Sequence, residues 1–193
     1  MNVSLRPIEG PWTAGFTVDR EVLSSVYLGD DRAGEPRLAH TRTEVGEALF
    51  QLKHRGDKSQ AAPLARVLLD AVVPRLGPIG FIVPVPPARM RAWQPMSLVA
   101  RELALQLRVP VFERLLLRMP ASRPAWDGAA GESPAPRSGG VFTLHDEIRN
   151  QGFWNALLID DVVETGATME AASLVLRKYR KVDRLYVAAL TCR

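Results

Sequence analysis

Apolar and polar positions change period several times along the 193 residues, and each change marks an element. Residues 15 to about 30, GFTVDREVLSSVYLGD, alternate apolar and polar and end in a Gly-Asp-Asp turn, which predicts one or two antiparallel strands forming a lid or hairpin. From Thr43 the period becomes helical. TEVGEALFQLKH sets Val45, Leu49 and Leu52 at helical spacing, offers Thr43 as the cap and reaches a stop at Gly56. A second helix over 59–73 carries Leu64, Val67, Leu68, Ala71 and Val72 on one face. FIVPVPP, residues 81–87, starts as a continuous apolar run, the pattern of a buried parallel strand, and its prolines end it in a rigid loop.

The strongest helical stripe is PMSLVARELALQL, residues 95–107, with Met96, Val99, Ala100, Leu103, Ala104 and Leu107 aligned and Pro95 in the first turn, where its missing N–H does no harm. VPVFERLLL, 109–117, predicts a short strand. Arg118 to Gly140 is rich in Pro, Gly, Ala and Ser without periodicity, and is expected to be a long mobile loop, either a lid or an insert. Then come a strand in ALLIDDV, a helix in ATMEAASLVLRKYRK with basic residues at its C-terminal end, and a strand in LYVAALT. Alternating strands and helices make the fold class α/β with a mostly parallel sheet. The chain divides into amino-terminal strands, 1–42, and a core, 43–193, with no internal repeat.

Composition narrows the classes. With 47% hydrophobic and 24% charged residues the chain resembles an average globular domain. Twenty-five Lys and Arg against 21 Asp and Glu give a net charge of +4, which suits an anionic ligand but forms no basic stripe, so direct nucleic-acid binding is not expected. Cys192 is the single cysteine, which leaves no disulfide framework or cysteine zinc site and fits a reducing, cytoplasmic setting. His40, His54 and His145 lack metal-ligand spacing, and no apolar run approaches membrane-spanning length.

The candidate chemistry lies in ALLIDDVVETGAT, residues 156–168. A buried strand delivers Asp160 and Asp161 to the carboxyl rim of the sheet, where open α/β folds bind ligands. Ionised carboxylates only accept hydrogen bonds, so their natural partners are the vicinal hydroxyls of a ribose or a metal-bound ligand. The following Glu164-Thr165-Gly166-Ala167-Thr168 opens a helix, gathering backbone N–H groups and two hydroxyls into an anion site. Together they describe a phosphorylated ribose. The chain lacks both GxxxxGK[ST] and a strand-linked GxGxxG, which argues against nucleoside triphosphates and dinucleotides.

This segment resembles the phosphoribosyl-diphosphate (PRPP) signature of type I phosphoribosyltransferases. With LKHRGD (52–57) and IVPVPPARMRAWQP (82–95) in the same order and spacing, most of residues 43–192 are similar to the ComF-like (competence protein F) branch. The resemblance implies a type I phosphoribosyltransferase fold with an amino-terminal β hairpin or hood. It further implies binding of PRPP with Mg²⁺ carried by the ligand, transfer of phosphoribose to a nitrogenous base, release of pyrophosphate, and a homodimer. It assigns the ribose hydroxyls to Asp160 and Asp161, and the 5′-phosphate to Glu164, Thr165, Gly166, Ala167 and Thr168. The pyrophosphate falls to Pro86, Pro87, Ala88 and Arg89, with Glu164 and Asp161 as catalytic residues. Lys53, Arg55, Arg91 and Trp93 form a second tier, and Arg118, Arg123 and Arg137 are candidates to close over pyrophosphate.

Three features depart from that branch. The four-cysteine zinc ribbon with which such proteins often begin is absent, Arg91-Ala92-Trp93-Gln94-Pro95 stands where Arg-Gly-Phe-Asn-Gln is usual, and Glu164 replaces a small residue. Purine salvage phosphoribosyltransferases carry an acid at that last position facing the base nitrogen, so Glu164 is expected to contact the base and exchange its proton. The rival reading is a non-catalytic PRPP- or nucleotide-binding regulator, or a competence accessory in DNA uptake.

Overall fold

The computed structural model describes residues 1–31, 33–89, 92–119 and 141–193. Its centre is a five-stranded sheet of β1 (Arg6–Pro7), β2 (Ala14–Arg20), β5 (Phe81–Pro84), β8 (Trp154–Val163) and β9 (Val182–Cys192), in the order β1-β2-β9-β8-β5. Only the β1–β2 pair is antiparallel. Two ribbons stand apart from it: β3 (Val22–Asp30) with β4 (Pro36–Arg42), and β6 (Leu116–Met119) with β7 (Val141–Leu144).

Both faces of the sheet are covered, which is why its middle strands read as unbroken apolar runs. On β8, Leu157 and Ile159 join Tyr186, Ala188 and Leu190 of β9 under α1 (Glu44–Phe50), α2 (Ala61–Val67) and α3 (Pro95–Leu107). Ala156 and Leu158 point the other way, toward α4 (Ala167–Leu176) and the β6–β7 ribbon, meeting Met169, Leu176, Leu116 and Phe142. Each fully buried Leu or Ile contributes about 1.5–3 kcal/mol, so these two layers supply the main driving force.

Local signals explain the element ends. The Thr43 hydroxyl accepts from the Gly46 N–H (2.9 Å) and donates to the Arg20 carbonyl (2.7 Å), starting α1 and tying it to β2. The helix widens into a π-helical turn over Gln51–Arg55 and stops at Gly56, whose φ of 72° is left-handed. The helix expected over 59–73 is α2 extended by a π-helical turn, Leu68–Val72, and a 3₁₀ turn, Val73–Arg75, while α3 spans the expected 95–107.

Four expectations are corrected. Residues 14–20, grouped with a hood, are hydrogen-bonded into the central sheet parallel to β9; the hairpin proper is 22–42, because β2 is buried on both faces and cannot leave the core. The strand expected at 109–117 contributes a single parallel bridge, Val111 to Ile82, before the regular pairing of β6 begins at Leu116. Arg118 and Met119 belong to β6 rather than to the expected loop, whose remainder, 120–140, lies outside the described residues. The last helix ends at Leu176 rather than Lys181, since Tyr179 and Lys181 turn inward and are buried beside the start of β9.

Candidate functional site

The sheet creates a crevice through its connections. From β5 the chain runs through α3 on one face and returns outward, bonding along the free edge of β5 by Ile82 N–H to the Pro110 carbonyl and Phe112 N–H to the Ile82 carbonyl. From β8 it runs through α4 on the opposite face to β9. The connections diverge between β5 and β8, the switch point at which open α/β sheets bind ligands. Val85 N–H donates to the Ile159 carbonyl (2.8 Å), so Pro86–Arg89 leaves the sheet beside Asp160. Pro86 and Pro87 are half-buried, while Ala88 and Arg89 are exposed.

The acidic pair closes the end of β8. Asp160 Oδ1 accepts the Asp161 N–H (2.8 Å), and the Thr191 hydroxyl donates to the Asp161 carbonyl (3.1 Å). Lys53, from the π-helical turn after α1, sets its Nζ 2.5 Å from Asp161 Oδ2. Asp160 keeps some residue-level exposure, yet burial of its carboxyl and the charge of Asp161 push its pKa up to about 8, against the opposing pull of the Asp161 N–H, Lys53 and Arg118. Burial therefore favours the protonated, hydrogen-bond-donating form of Asp160, while the Asp161 carboxyl lies against the Lys53 ammonium.

Arg118 is drawn to this cluster by structure that the sequence pattern hides. Its Nε donates to the Pro86 carbonyl (3.1 Å) and its guanidinium lies 4.6 Å from the centre of the Phe142 ring. It is thus a strand residue bracing the loop after β5. Arg123, Arg137 and Arg91 lie outside the described residues.

At the loop into α4, Gly166 has φ 79° and caps the helix, and the Thr165 hydroxyl accepts from the Ala167 N–H (3.4 Å). Glu164, Thr165 and the left-handed Gly166 carry the chain from the end of β8 into α4, so the first N–H groups of α4 open close to the rim of the sheet. Glu164 is exposed, and its Oε1 lies 3.9 Å from Arg193. Arg193 also pairs with Glu21 (2.5 Å), whose carboxyl that guanidinium holds below the usual range. Arg193 N–H donates to the Val163 carbonyl, joining the loop to the foot of the β3–β4 hairpin.

A cavity of about 350 Å³ opens beside this loop, between Ile8, Glu9 and Trp12 on one side and Val163, Glu164 and Thr165 on the other. A larger one, about 650 Å³, separates the amino-terminal segment from α2 and is lined by Met1, Val3, Leu5, Arg66 and Asp70; none of the rim loops reaches it. The smaller cavity adjoins the loop into α4.

Among the described residues of the second tier, Lys53 is the one that touches the acidic pair. Arg55 lies 5.8 Å over the Phe50 ring, and Trp93 is half-buried against the core with the Lys58 ammonium 5.4 Å over its ring. Among the described residues no group of three or more His, Cys, Asp or Glu side chains is arranged to hold a metal ion, and no helix is long and apolar enough to cross a membrane.

No family model and no curated protein matches the chain. Solved structures do. An adenine phosphoribosyltransferase from Trypanosoma brucei superposes with a TM-score of 0.50 at 18% identity, covering 100% of this chain and 76% of that one. The fold is that of the type I phosphoribosyltransferases. An orotate phosphoribosyltransferase from Aeropyrum pernix matches at a TM-score of 0.46 and 18% identity, over 86% of this chain and 76% of that chain. A hypothetical protein from Neisseria gonorrhoeae with bound ppGpp matches at 0.47 and 14%, over 69% and 68%.

Proposed function

We propose that the protein binds PRPP with Mg²⁺ and transfers its phosphoribosyl group to a nitrogenous base, releasing pyrophosphate, as a member of the ComF-like branch working in the cytoplasm as a homodimer. One observation supports this reading: the acidic pair of β8, the loop after β5 and the amino terminus of α4 lie at the same end of the parallel strands, where they could serve hydroxyl, pyrophosphate and phosphate groups.

Asp161, as acceptor, and Asp160, able to donate, take the ribose hydroxyls. The backbone from Glu164 to Thr168, with the Thr165 and Thr168 hydroxyls, takes the 5′-phosphate, helped by the α4 dipole. Pro86–Arg89 takes the departing pyrophosphate, with Arg89 as its cation. The base enters the cavity beside Trp12, where Glu164 accepts the proton from its attacking nitrogen. In the reaction the bond from the anomeric carbon to pyrophosphate oxygen breaks, a bond to the base nitrogen forms, and the base proton passes to Glu164. Positioning and stabilisation of the leaving anion supply most of the acceleration. Mg²⁺ would be held by the pyrophosphate it accompanies and would neutralise part of that charge, since Asp161 is already paired with Lys53 and burial favours the neutral form of Asp160.

Calorimetric titration of PRPP with Mg²⁺ into the wild type and into Asp160→Asn/Asp161→Asn tests this. Micromolar binding lost in the double variant, followed by pyrophosphate release with one base, is the expected result. Binding without release for any base would leave the non-catalytic regulator, and no binding would end the phosphoribosyl reading.

A further inference from the structure

An acidic pair at the mouth of a crevice would ordinarily collect a divalent cation, because two adjacent carboxylates attract it and retain part of its hydration shell. Here a third group intervenes. Lys53 comes from a different layer of the fold, yet its ammonium lies 2.5 Å from Asp161 Oδ2 with both side chains mostly covered, 22% and 26% exposed. The turn presenting it is unusual: α1 widens into a π-helical turn at Gln51–Arg55, and Leu52, fully buried, anchors that turn against the sheet. Arg118 contributes a second positive charge near Asp160 while bonded to the Pro86 carbonyl.

We propose that Lys53 is a specificity-determining residue that occupies the charge of Asp161, so that the pair reads a neutral vicinal diol and rejects a free divalent cation. This rests on the phosphoribosyl reading only for the identity of the diol; cation rejection is a property of the chain itself. The physical logic is charge balance. With Lys53 in place, the cluster of Lys53, Asp160 and Asp161 gains little from a +2 ion, and any such ion must approach the ammonium. Hydroxyls pay no such penalty, since an ion-paired carboxylate still has lone pairs to offer. Metal therefore enters attached to the ligand's phosphates, not ahead of it.

The test uses Mn²⁺ alone as the probe, following its free six-line electron paramagnetic resonance signal against full-length wild type, Lys53→Met, Lys53→Gln, Lys53→Arg and Lys53→Met/Asp161→Asn. Circular dichroism checks that each variant is folded, and Lys53→Gln is the alternative if Lys53→Met is not. Removing the ammonium is expected to tighten Mn²⁺ binding about tenfold or more, from the loss of a full charge a few ångströms from the carboxylate. Lys53→Arg should keep the wild-type value, and the double variant should lose the gain.

Equal Mn²⁺ binding in wild type and Lys53→Met would overturn the proposal, as would a gain that survives Asp161→Asn. A merely structural lysine would not produce a gain of cation affinity cancelled by removing Asp161. A wild type that fails to bind PRPP would end the phosphoribosyl reading, and the Mn²⁺ results would separately decide whether Lys53 governs cation rejection.

Discussion

Replacing Asp160 with Asn tests the electrostatics of the rim directly. Asp160 loses its proton in the unfolded chain near the ordinary carboxylate value of 3.8, but in the folded protein burial and the neighbouring Asp161 hold the proton until about pH 8. Between those values the native state binds more protons than the unfolded one, so native stability falls as pH rises. Each pH unit in that window removes up to about 1.4 kcal/mol, so going from about pH 5 to about pH 7 costs the wild type up to about 3 kcal/mol through this residue. Asn is nearly isosteric with the protonated acid, and its Oδ1 can accept the same Asp161 N–H now bonded at 2.8 Å. It carries no charge to desolvate. Urea unfolding of both proteins at several pH values reads the difference, and comparing them cancels every other titrating group. Near pH 4 the two should agree closely, and Asp160→Asn should gain about 1–3 kcal/mol on the wild type by about pH 7. A difference that stays flat, or that shrinks with rising pH, would refute a protonated Asp160.

Other substitutions probe the scaffold and the site. A Cβ on Gly46 would lie 2.1 Å from the Glu21 carbonyl oxygen, so Gly46→Ala should destabilise by about 1–3 kcal/mol in chemical denaturation, although Ala is the better helix former by about 1 kcal/mol. Thr43→Ala removes both the cap of α1 and the bond to Arg20, and a loss of about 1–2 kcal/mol is expected in the same assay. Gly166→Ala meets no atom within 4 Å, so its cost is that of the left-handed backbone, about 1–2 kcal/mol, and Gly166→Asn should cost less. Glu164→Gln should lower turnover with the accepted base while PRPP affinity measured calorimetrically changes little; unchanged turnover would remove Glu164 as the proton acceptor.

Legibility followed the range of the interaction responsible. The cap at Thr43, the stop at Gly56, the stripe of α3 and the apolar run of β8 are encoded within a few residues, and their periods were readable from the chain. The assignment of 14–20 to a hood went wrong because alternation describes a strand without saying which strand it pairs with; β2 finds β9, more than 160 positions away in sequence. Arg118 read as a loop residue because it borders a segment poor in periodicity, whereas its place is set by pairing with Phe142 across β6 and β7. Lys53 and Asp161 carry no mutual spacing that would reveal a pair.

By itself the sequence determined the order of elements, the doubly covered parallel sheet and the strand-turn-helix of residues 156–168, because strand and helix periods and a glycine-punctuated turn are local properties of the chain. Tertiary structure alone decided which charges meet. Divergence of the connections after β5 and β8 brings the Pro86–Arg89 loop beside Asp160, and packing of α1 on the sheet delivers Lys53 to Asp161. The upward shift of the Asp160 pKa is likewise a tertiary effect, since desolvation exists only once distant segments have excluded water from the same few ångströms.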